Sequence, residues 1–297
     1  MVLRLCLAPN PSRAVVDVDV LLRPVSTQDR AQVLAVEALS TPNLRYLPEV
    51  FEQFVADEEG DFSVALVDGE IVACAKLTVV ADGSAWLETL RVIPEKQRLG
   101  LGKRFYERFF EVAAQKRINT MRMYTGVTNA ASKGLAERFG FRLAASYNSA
   151  HISTKEIPKG LTAGGFERVA DVERATQLLM ACEKEWTGFG VMNRTFYAMN
   201  PSTCAAFCRA GQVYEDSRSG SVILMGARFM HHKALHIGVF RGERALCLDF
   251  AKLHAHKLGV PRVECMFAPD ADDVRQALTQ SGFEMSGSTF IVMEWNG

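Results

Sequence analysis

The sequence predicts a mixed α/β fold, with a mixed sheet flanked by helices and the whole plan duplicated in one chain. Three observations predict it. Strand-like apolar runs alternate with stretches of helical spacing along the chain. A glycine-rich stretch, "PKGLTAGG" (158–165), interrupts that alternation, and beyond it the same order begins again. Finally, segments 113–141 and 255–283 are equal in length, and both run helix end, strand, loop, helix, then Gly-Phe.

"VLLRP" (20–24) reads as a strand, and Thr27 can cap the helix "QDRAQVLAVEAL" that follows. Residues 62–80 read as a hairpin turning at Asp68-Gly69, and "ADGS" (81–84) as a second turn. "AWLETLRVI" (85–93) is a third strand, followed by a glycine turn and a helix from Gly102 to Arg117. "NTMRMYT" (119–125) is a strand, and residues 129–141 a short helix ended by Gly140. "RLAASY" and "HISTKEI" then read as two strands. In the second half "RVADVERATQLL" (168–179) echoes "RPVSTQDRAQVL" (23–34), and the turn "SRSGS" echoes "VDGE". The division expected is an extension (1–18), a first domain (19–157), a linker (158–165) and a second domain (166–297).

Composition narrows the function classes. Lysine plus arginine equals aspartate plus glutamate, 34 each, so no overall field favours nucleic acid or an anionic membrane. No apolar run approaches the roughly 18 residues of a spanning helix. Seven cysteines without regular spacing suggest reduced thiols in a cytoplasmic protein.

The stretch "VIPEKQRLGLGKRFYERFF" (92–110) places Gly100 and Gly102 at the mouth of a helix, with Arg98, Lys103 and Arg104 beside them. Helix N-termini present unpaired N–H groups and a partial positive charge, which suit a phosphate. Glycine lets those N–H groups converge on one anion. No Gly-Lys-Ser/Thr follows, which excludes a Walker A loop, and Phe105 stands where a dinucleotide fingerprint needs a third glycine. The second half passes straight through "LHIGVFRGERALCL", with no counterpart of this turn.

"LRVIPEKQRLGLGKRF" resembles the cofactor motif of the GCN5-related N-acetyltransferase (GNAT) superfamily. "NAASKGLAERFGF" (129–141) resembles that superfamily's next motif, an asparagine-led helix ending in Gly-Phe. The resemblance covers about residues 19–157. It implies a central sheet splayed between "AWLETLRV" and "MRMYT", with acetyl-CoA as donor and its thioester in the gap. It implies that Gln97, Arg98, Leu99, Gly100, Leu101, Gly102 and Lys103 hold the pyrophosphate. Leu90, Arg91 and Val92 would pair with the pantetheine arm, which Asn129 and Ser132 would contact. The second half reads as a degenerate relative without the phosphate turn, and tandem arrangements occur in the superfamily.

Amide formation from a thioester needs a neutral amine, a stabilised oxyanion and a protonated leaving thiol. The family's usual oxyanion partner is a backbone N–H of strand 85–93. Glu88, the carboxylate in that otherwise apolar strand, is the candidate base; its other reading is a polar strand face. The family's tyrosine acid falls at Ala136 here, and Tyr124 is the substitute candidate. Tyr46 and Phe51, in the region of the family's variable substrate loop, and Trp86 are candidate acceptor-lining residues. "YLP" (46–48) with "LETLRV" is similar to the vertebrate histidine N-acetyltransferases, which implies a free amino acid or similar small amine. His231, His232, His236, His254, His256, Cys204 and Cys208 match no compact zinc spacing, so no metal is expected.

The function expected is acetyl transfer from acetyl-CoA to the primary amine of a small molecule or amino acid, by a monomer or homodimer. Two alternatives remain open: a non-catalytic acyl-CoA sensor, and a protein N-terminal or lysine acetyltransferase. The second predicts an open peptide groove where a small-molecule enzyme predicts a closed pocket.

Overall fold

The computed structural model describes residues 20–42, 44–157 and 160–297. The extension expected over 1–18 and linker positions 158 and 159 lie outside these residues. The first half runs β1 (Val20–Pro24), α1 (Arg30–Ser40), α2 (Leu47–Val55), β2 (Asp61–Val67), β3 (Glu70–Val79), β4 (Ala85–Val92), α3 (Leu101–Lys116), β5 (Thr120–Gly126), α4 (Ala130–Arg138) and β6 (Arg142–Ser153). The second runs β7 (Glu167–Arg168), α5 (Val172–Met180), β8 (Phe189–Met192), β9 (Thr195–Ala198), α6 (Pro201–Arg209), β10 (Val213–Asp216), β11 (Ser221–Gly226), β12 (Leu235–Arg241), α7 (Arg244–Lys257), β13 (Arg262–Phe267), α8 (Asp272–Gln280), β14 (Glu284–Met285) and β15 (Phe290–Asn296). The orders match from β1 and β7 onward with two exceptions: the β8–β9 hairpin stands where the first half has only the short connection from α1 to α2, and β14 and β15 stand where the first half has the single strand β6.

Two local expectations need correction. Thr27 does not cap the first helix. A 3-10 turn over Thr27–Asp29 precedes α1 and is capped by Ser26, whose N–H and hydroxyl both bond the Asp29 carboxylate (2.8 and 2.9 Å), while Asp29 is the N-cap of α1 itself. Arg23 also holds Asp29 (2.6 and 2.8 Å), which keeps that carboxyl well below the usual range. "RLAASY" and "HISTKEI" are not two strands. One strand, β6, runs without a break to Ser153 because each of its ends has a different partner.

Those partners explain the architecture. Among the described residues thirteen strands form one sheet, in the order β1-β2-β3-β4-β5-β15-β6-β13-β12-β11-β10-β7, with β14 beside β6. The beginning of β6 pairs antiparallel with β15, from Arg142↔Glu294 to Tyr147↔Phe290. Its end pairs with β13, from Asn148↔Phe267 to Ser153↔Arg262. β15, the last strand of the second half, sits between β5 and β6 of the first. The end of β6 in turn sits between β13 and β14 of the second. Each half has lent a strand to the other.

Burial follows the exchange. Ile291 and Met293 of β15 face a core built by Leu101, Phe105, Tyr106 and Phe109 of α3, whereas Val292 faces the larger core of the second half. Alternating sides along one strand thus tie two cores together. A third cluster lies under α1 and α2, and it includes Phe229 from the second half. No helix among the described residues is long and apolar enough to cross a membrane.

Candidate active site

β4 and β5 are parallel neighbours for only three residue pairs, Ala85↔Met121 to Leu87↔Met123. Beyond them the strands part, so the edge of β4 from Glu88 to Val92 has no partner on the β5 side. Its other edge stays paired to β3, but with a bulge: Cys74 faces Arg91 and Lys76 faces Glu88, leaving Thr89 and Leu90 opposite Ala75. Thr89 has φ of +62°, a left-handed conformation disfavoured for a β-branched residue. Its hydroxyl is bonded to that of Tyr46 (2.7 Å). The bulge re-aims β4 just where it leaves β5.

At the far end of β4 the chain passes through a turn at Pro94–Lys96 into α3, whose N-cap is Gly100. Gly100 is left-handed (φ +78°) with open space around it, and no side chain caps the helix. The first-turn N–H groups therefore face outward unsatisfied. At Gly102 an added Cβ would lie 2.9 Å from Leu135 Cδ2, so glycine is what lets α3 lie close against α4. Gln97, Arg98, Leu99 and Lys103 are exposed around the turn. Lys103 pairs with Glu107 (3.0 Å), while Arg98 and Arg104 have no carboxylate within 4 Å among the described residues. Asn129 caps α4 by accepting from the Ser132 N–H (3.1 Å), at the opposite lip of the cleft. An uncapped helix end, a bare glycine cradle and a free strand edge fit a pyrophosphate followed by an extended arm.

Trp86, Glu88 and Tyr124 project from the other face of the sheet, away from α3. Glu88 accepts from Thr78 (2.7 Å) and from both nitrogens of Arg228 (2.7 and 3.0 Å), and both side chains are at most a tenth exposed. Arg228 also donates to Thr195 (2.9 Å). It belongs to the loop after β11, whose backbone N–H groups at Arg228 and Phe229 are held by the Asn193 side chain (2.6 and 3.3 Å). Asn193 and Arg194 form the two-residue tip of the β8–β9 hairpin. The second half therefore closes this face of the first.

Three tyrosines line the resulting chamber. Tyr46 stacks on Phe229 (5.6 Å between ring centres); burial, and then the Glu88 carboxylate, push its phenol above the ordinary range. Burial pushes Tyr197 up to about 12, against an opposing pull from Arg228. Tyr124 stacks on Trp86 (6.1 Å) and lies beside Phe290 (6.0 Å), whose ring is 5.2 Å from the Arg194 guanidinium. Trp86 is 2% exposed and wedged against Phe196, so it supports the chamber rather than opening onto it. Phe51 is fully buried beside Phe62 under α2, and the structure does not bring it to the chamber surface. Ala136 is likewise fully buried. Arg228, Arg194, Tyr197 and Thr78 were not anticipated. The signal that bears on the first is in the repeat: the "ADGS" turn corresponds to a longer loop, 227–234, in the second half.

The second half repeats the splay without the opening. β12 and β13 pair from Leu235↔Val263 to Ile237↔Cys265 and then part. There the resemblance stops. The indole of Trp186 donates to the Phe240 carbonyl (2.9 Å), and β12 is buried from Leu235 to Phe240. At the tight passage into α7, a Cβ on Gly242 would lie 2.7 Å from the Ser221 backbone. Cys204 and Cys208 are core residues, 0% and 2% exposed, and burial pushes Cys204 up to about 11. His236 is held down to about 4 by burial, against the pull of Glu264. Among the described residues no three His, Cys, Asp or Glu side chains gather as a metal site would require.

A splayed mixed sheet with a glycine-led helix at the mouth of the gap is the arrangement that the sequence resemblance implies. Residues 29–141 match the acetyltransferase (GNAT) family, and the chain is an acyltransferase carrying a domain of that family. Among solved structures it is similar to a GCN5-related N-acetyltransferase from Sphaerobacter thermophilus, with 17% identity over 93% of this chain and 95% of that one, at a TM-score of 0.62. A tandem GNAT protein from the clavulanic acid biosynthesis pathway is 14% identical over 94% and 98%, at 0.59. The glucosamine N-acetyltransferase region of a fungal multi-domain β-N-acetylglucosaminidase is 13% identical over 97% and 39%, at 0.67. At these identities the likeness is one of fold. Among curated proteins the sequence has no match.

Proposed function

We propose that the protein transfers an acetyl group from acetyl-CoA to the primary amine of a small molecule or amino acid, by direct attack in a ternary complex. One observation carries the reading: a free strand edge runs from an uncapped helix end to a buried carboxylate, under a roof supplied by the second half. In this reading residues 19–157 bind the donor through the turn 97–103, the edge Leu90–Val92, Asn129 and Ser132. Residues 166–297 form the degenerate partner that closes the acceptor side. The cover that the second half places over Glu88 favours a small acceptor over a protein tail.

Glu88 is the base. A carboxylate has about four lone-pair sites, and Thr78 with the two Arg228 nitrogens takes three, leaving one for the amine or a bridging water. The amine nitrogen forms its bond to the acetyl carbon as the carbon–sulfur bond breaks, and the amine's proton passes to Glu88. A backbone N–H of β4 stabilises the oxyanion. Tyr124, on the strand that parts from β4 and stacked on Trp86, protonates the sulfur.

The buried Ala136, where the family's tyrosine would stand, favours a second reading, a sensor that binds acyl-CoA without turnover. Thiol release from acetyl-CoA against pooled amino acids, polyamines, aminoglycosides and short peptides separates the two. Turnover that Glu88→Gln removes is the expected result. Turnover unaffected by that change would leave an enzyme with another base, and calorimetric binding with no turnover in any pool would favour the sensor.

A further inference from the structure

On the chamber side of the sheet, two guanidiniums lack an acid. Arg228 is matched by Glu88, and Arg122 by Asp82 and Glu294. Arg194 and Arg91 have no carboxylate within 4 Å among the described residues. Arg91 lies over the Tyr46 ring (6.0 Å), and its Nε is buried with no partner. Arg194 is half-buried over the Phe290 ring, which itself lies beside Tyr124. Glu264, the acid that faces it from β13, already holds Arg262 (2.9 Å). With Glu88 neutralised by Arg228, the chamber carries uncompensated positive charge, and a buried cation left without a partner is costly.

The backbone at Arg194 makes an independent point. Asn193 and Arg194 both have positive φ (48° and 60°), the conformation of a type I′ hairpin turn. Asparagine followed by glycine is the preferred pair for such a turn. The first position obeys the preference, and its side chain holds the Arg228 loop. The second carries arginine, against the backbone preference, with its guanidinium over the Phe290 ring rather than out in solvent. A residue that costs the turn stability is placed where only its side chain can justify it.

We propose that the acceptor carries a carboxylate as well as its amine, and that Arg194, contributed by the second half, holds that carboxylate. The planar guanidinium matches a carboxylate in two-point geometry, and Arg91 supplies a second positive charge from the Tyr46 side. The inference rests on the acetyl-transfer reading for its amine, but the anion site can be measured without turnover.

The test uses the full chain with coenzyme A or acetyl-CoA bound, and three variants: Arg194→Gly, Arg194→Gln and Arg194→Lys. Glycine suits the turn better than arginine does, so Arg194→Gly is expected to fold with an unchanged or higher Tm. Pooled α-amino acids are compared with the same pool as α-amides, by thiol release and by ligand-induced shift in Tm. The wild type is expected to favour acids over amides by at least tenfold in kcat/KM and to be stabilised by acids alone. Both preferences should vanish in the Gly and Gln variants and survive in part in the Lys variant. Equal treatment of acids and amides by the wild type, or a preference for polyamines, would overturn the carboxylate site while leaving acetyl transfer standing. So would selectivity for O-phosphoethanolamine over ethanolamine without any for acids over amides. Acid-selective binding lost in Arg194→Gly, with no turnover of any pool, would keep the site and sink the transfer reading. If neither binding nor turnover distinguishes acid from amide, the inference fails.

Discussion

The two halves build the same splayed pair of strands and put it to opposite uses. In the first, β4 leaves β5 after Leu87 and its free edge leads to a bare helix end at Gly100. In the second, β12 leaves β13 after Ile237, but Trp186 takes a carbonyl of the diverging strand and Gly242 turns the chain tightly against Ser221. The gap comes from the fold; the opening comes from the turn that follows it. The closed half still reaches the open one, since its β8–β9 hairpin tip holds the loop whose Arg228 pairs with Glu88.

The largest effect should come from removing the strand that belongs to one half and serves the other. Truncation after Ser288 deletes Ile291, Val292 and Met293, all nearly fully buried. At about 2 kcal/mol for each side chain the loss is about 6 kcal/mol, comparable to the stability of a whole domain. Loss of cooperative thermal unfolding and of acetyl-CoA binding is expected, and a truncated chain that still binds would show the halves to be independent.

Breaking the contact between halves at Glu88 comes next. Glu88→Gln should cut kcat by roughly 100-fold or more with little change in acetyl-CoA affinity. Arg228→Met leaves that carboxylate buried without its partner, which costs about 3 kcal/mol in thermal or urea unfolding. The double variant should regain part of that stability, and strict additivity would argue against a coupled pair.

The two glycines at the ends of the diverging strands sharpen the contrast. Gly100 stands in open space with φ of +78°, so Gly100→Val costs about 1–2 kcal/mol and should weaken acetyl-CoA binding about tenfold. Gly242→Ala meets Ser221 backbone at φ of +96° and should cost about 2 kcal/mol of stability with the affinity unchanged. Calorimetry that found Gly242→Ala weakening acetyl-CoA binding as much as Gly100→Val would erase the distinction between the halves.

Acid should loosen the closed half. His236 in the folded chain holds its proton only below about 4, whereas in the unfolded chain it does so below its ordinary value near 6.5. Its contribution is therefore complete above the unfolded value and falls as pH drops from about 6.5 to about 4, by up to roughly 3 kcal/mol. His236→Gln should flatten that part of the stability profile in urea titrations. Trp186→Phe, which leaves the buried Phe240 carbonyl unpaired and empties part of the core, should cost about 2 kcal/mol and leave one acetyl-CoA bound per chain.

Much of the scaffold could be read from local pattern. The limits of β1, β3, β4, α3 and β5 fall within a residue or so of their expected places, because each is set by near-neighbour signals: alternation, helical spacing and glycine at turns. The repeat also survives in the structure, with α4 and α8 both ending before a left-handed glycine, Gly140 and Gly282. The glycine turn was legible because a phosphate-cradling backbone demands glycine at fixed spacing. Glu88 stood out as the carboxylate in an apolar strand.

What pattern could not supply is whatever depends on distant residues meeting. β6 reads as two short strands because its halves differ in composition, yet it is one strand with a different partner at each end. Nothing near residue 290 marks β15 as the neighbour of β5, since strand order is fixed by which core its alternate side chains fill. Arg228 and Arg194 lie more than a hundred and about seventy residues from Glu88 and Tyr124 in the chain, in a loop and a hairpin tip without a motif. The sequence by itself determined the elements, their repetition and the glycine turn at the mouth of α3, because those rest on local backbone chemistry. Only the tertiary structure decided which half stays open, which strand completes each sheet and which charges pair across the halves, because burial and ion pairing are settled where the two halves close on each other.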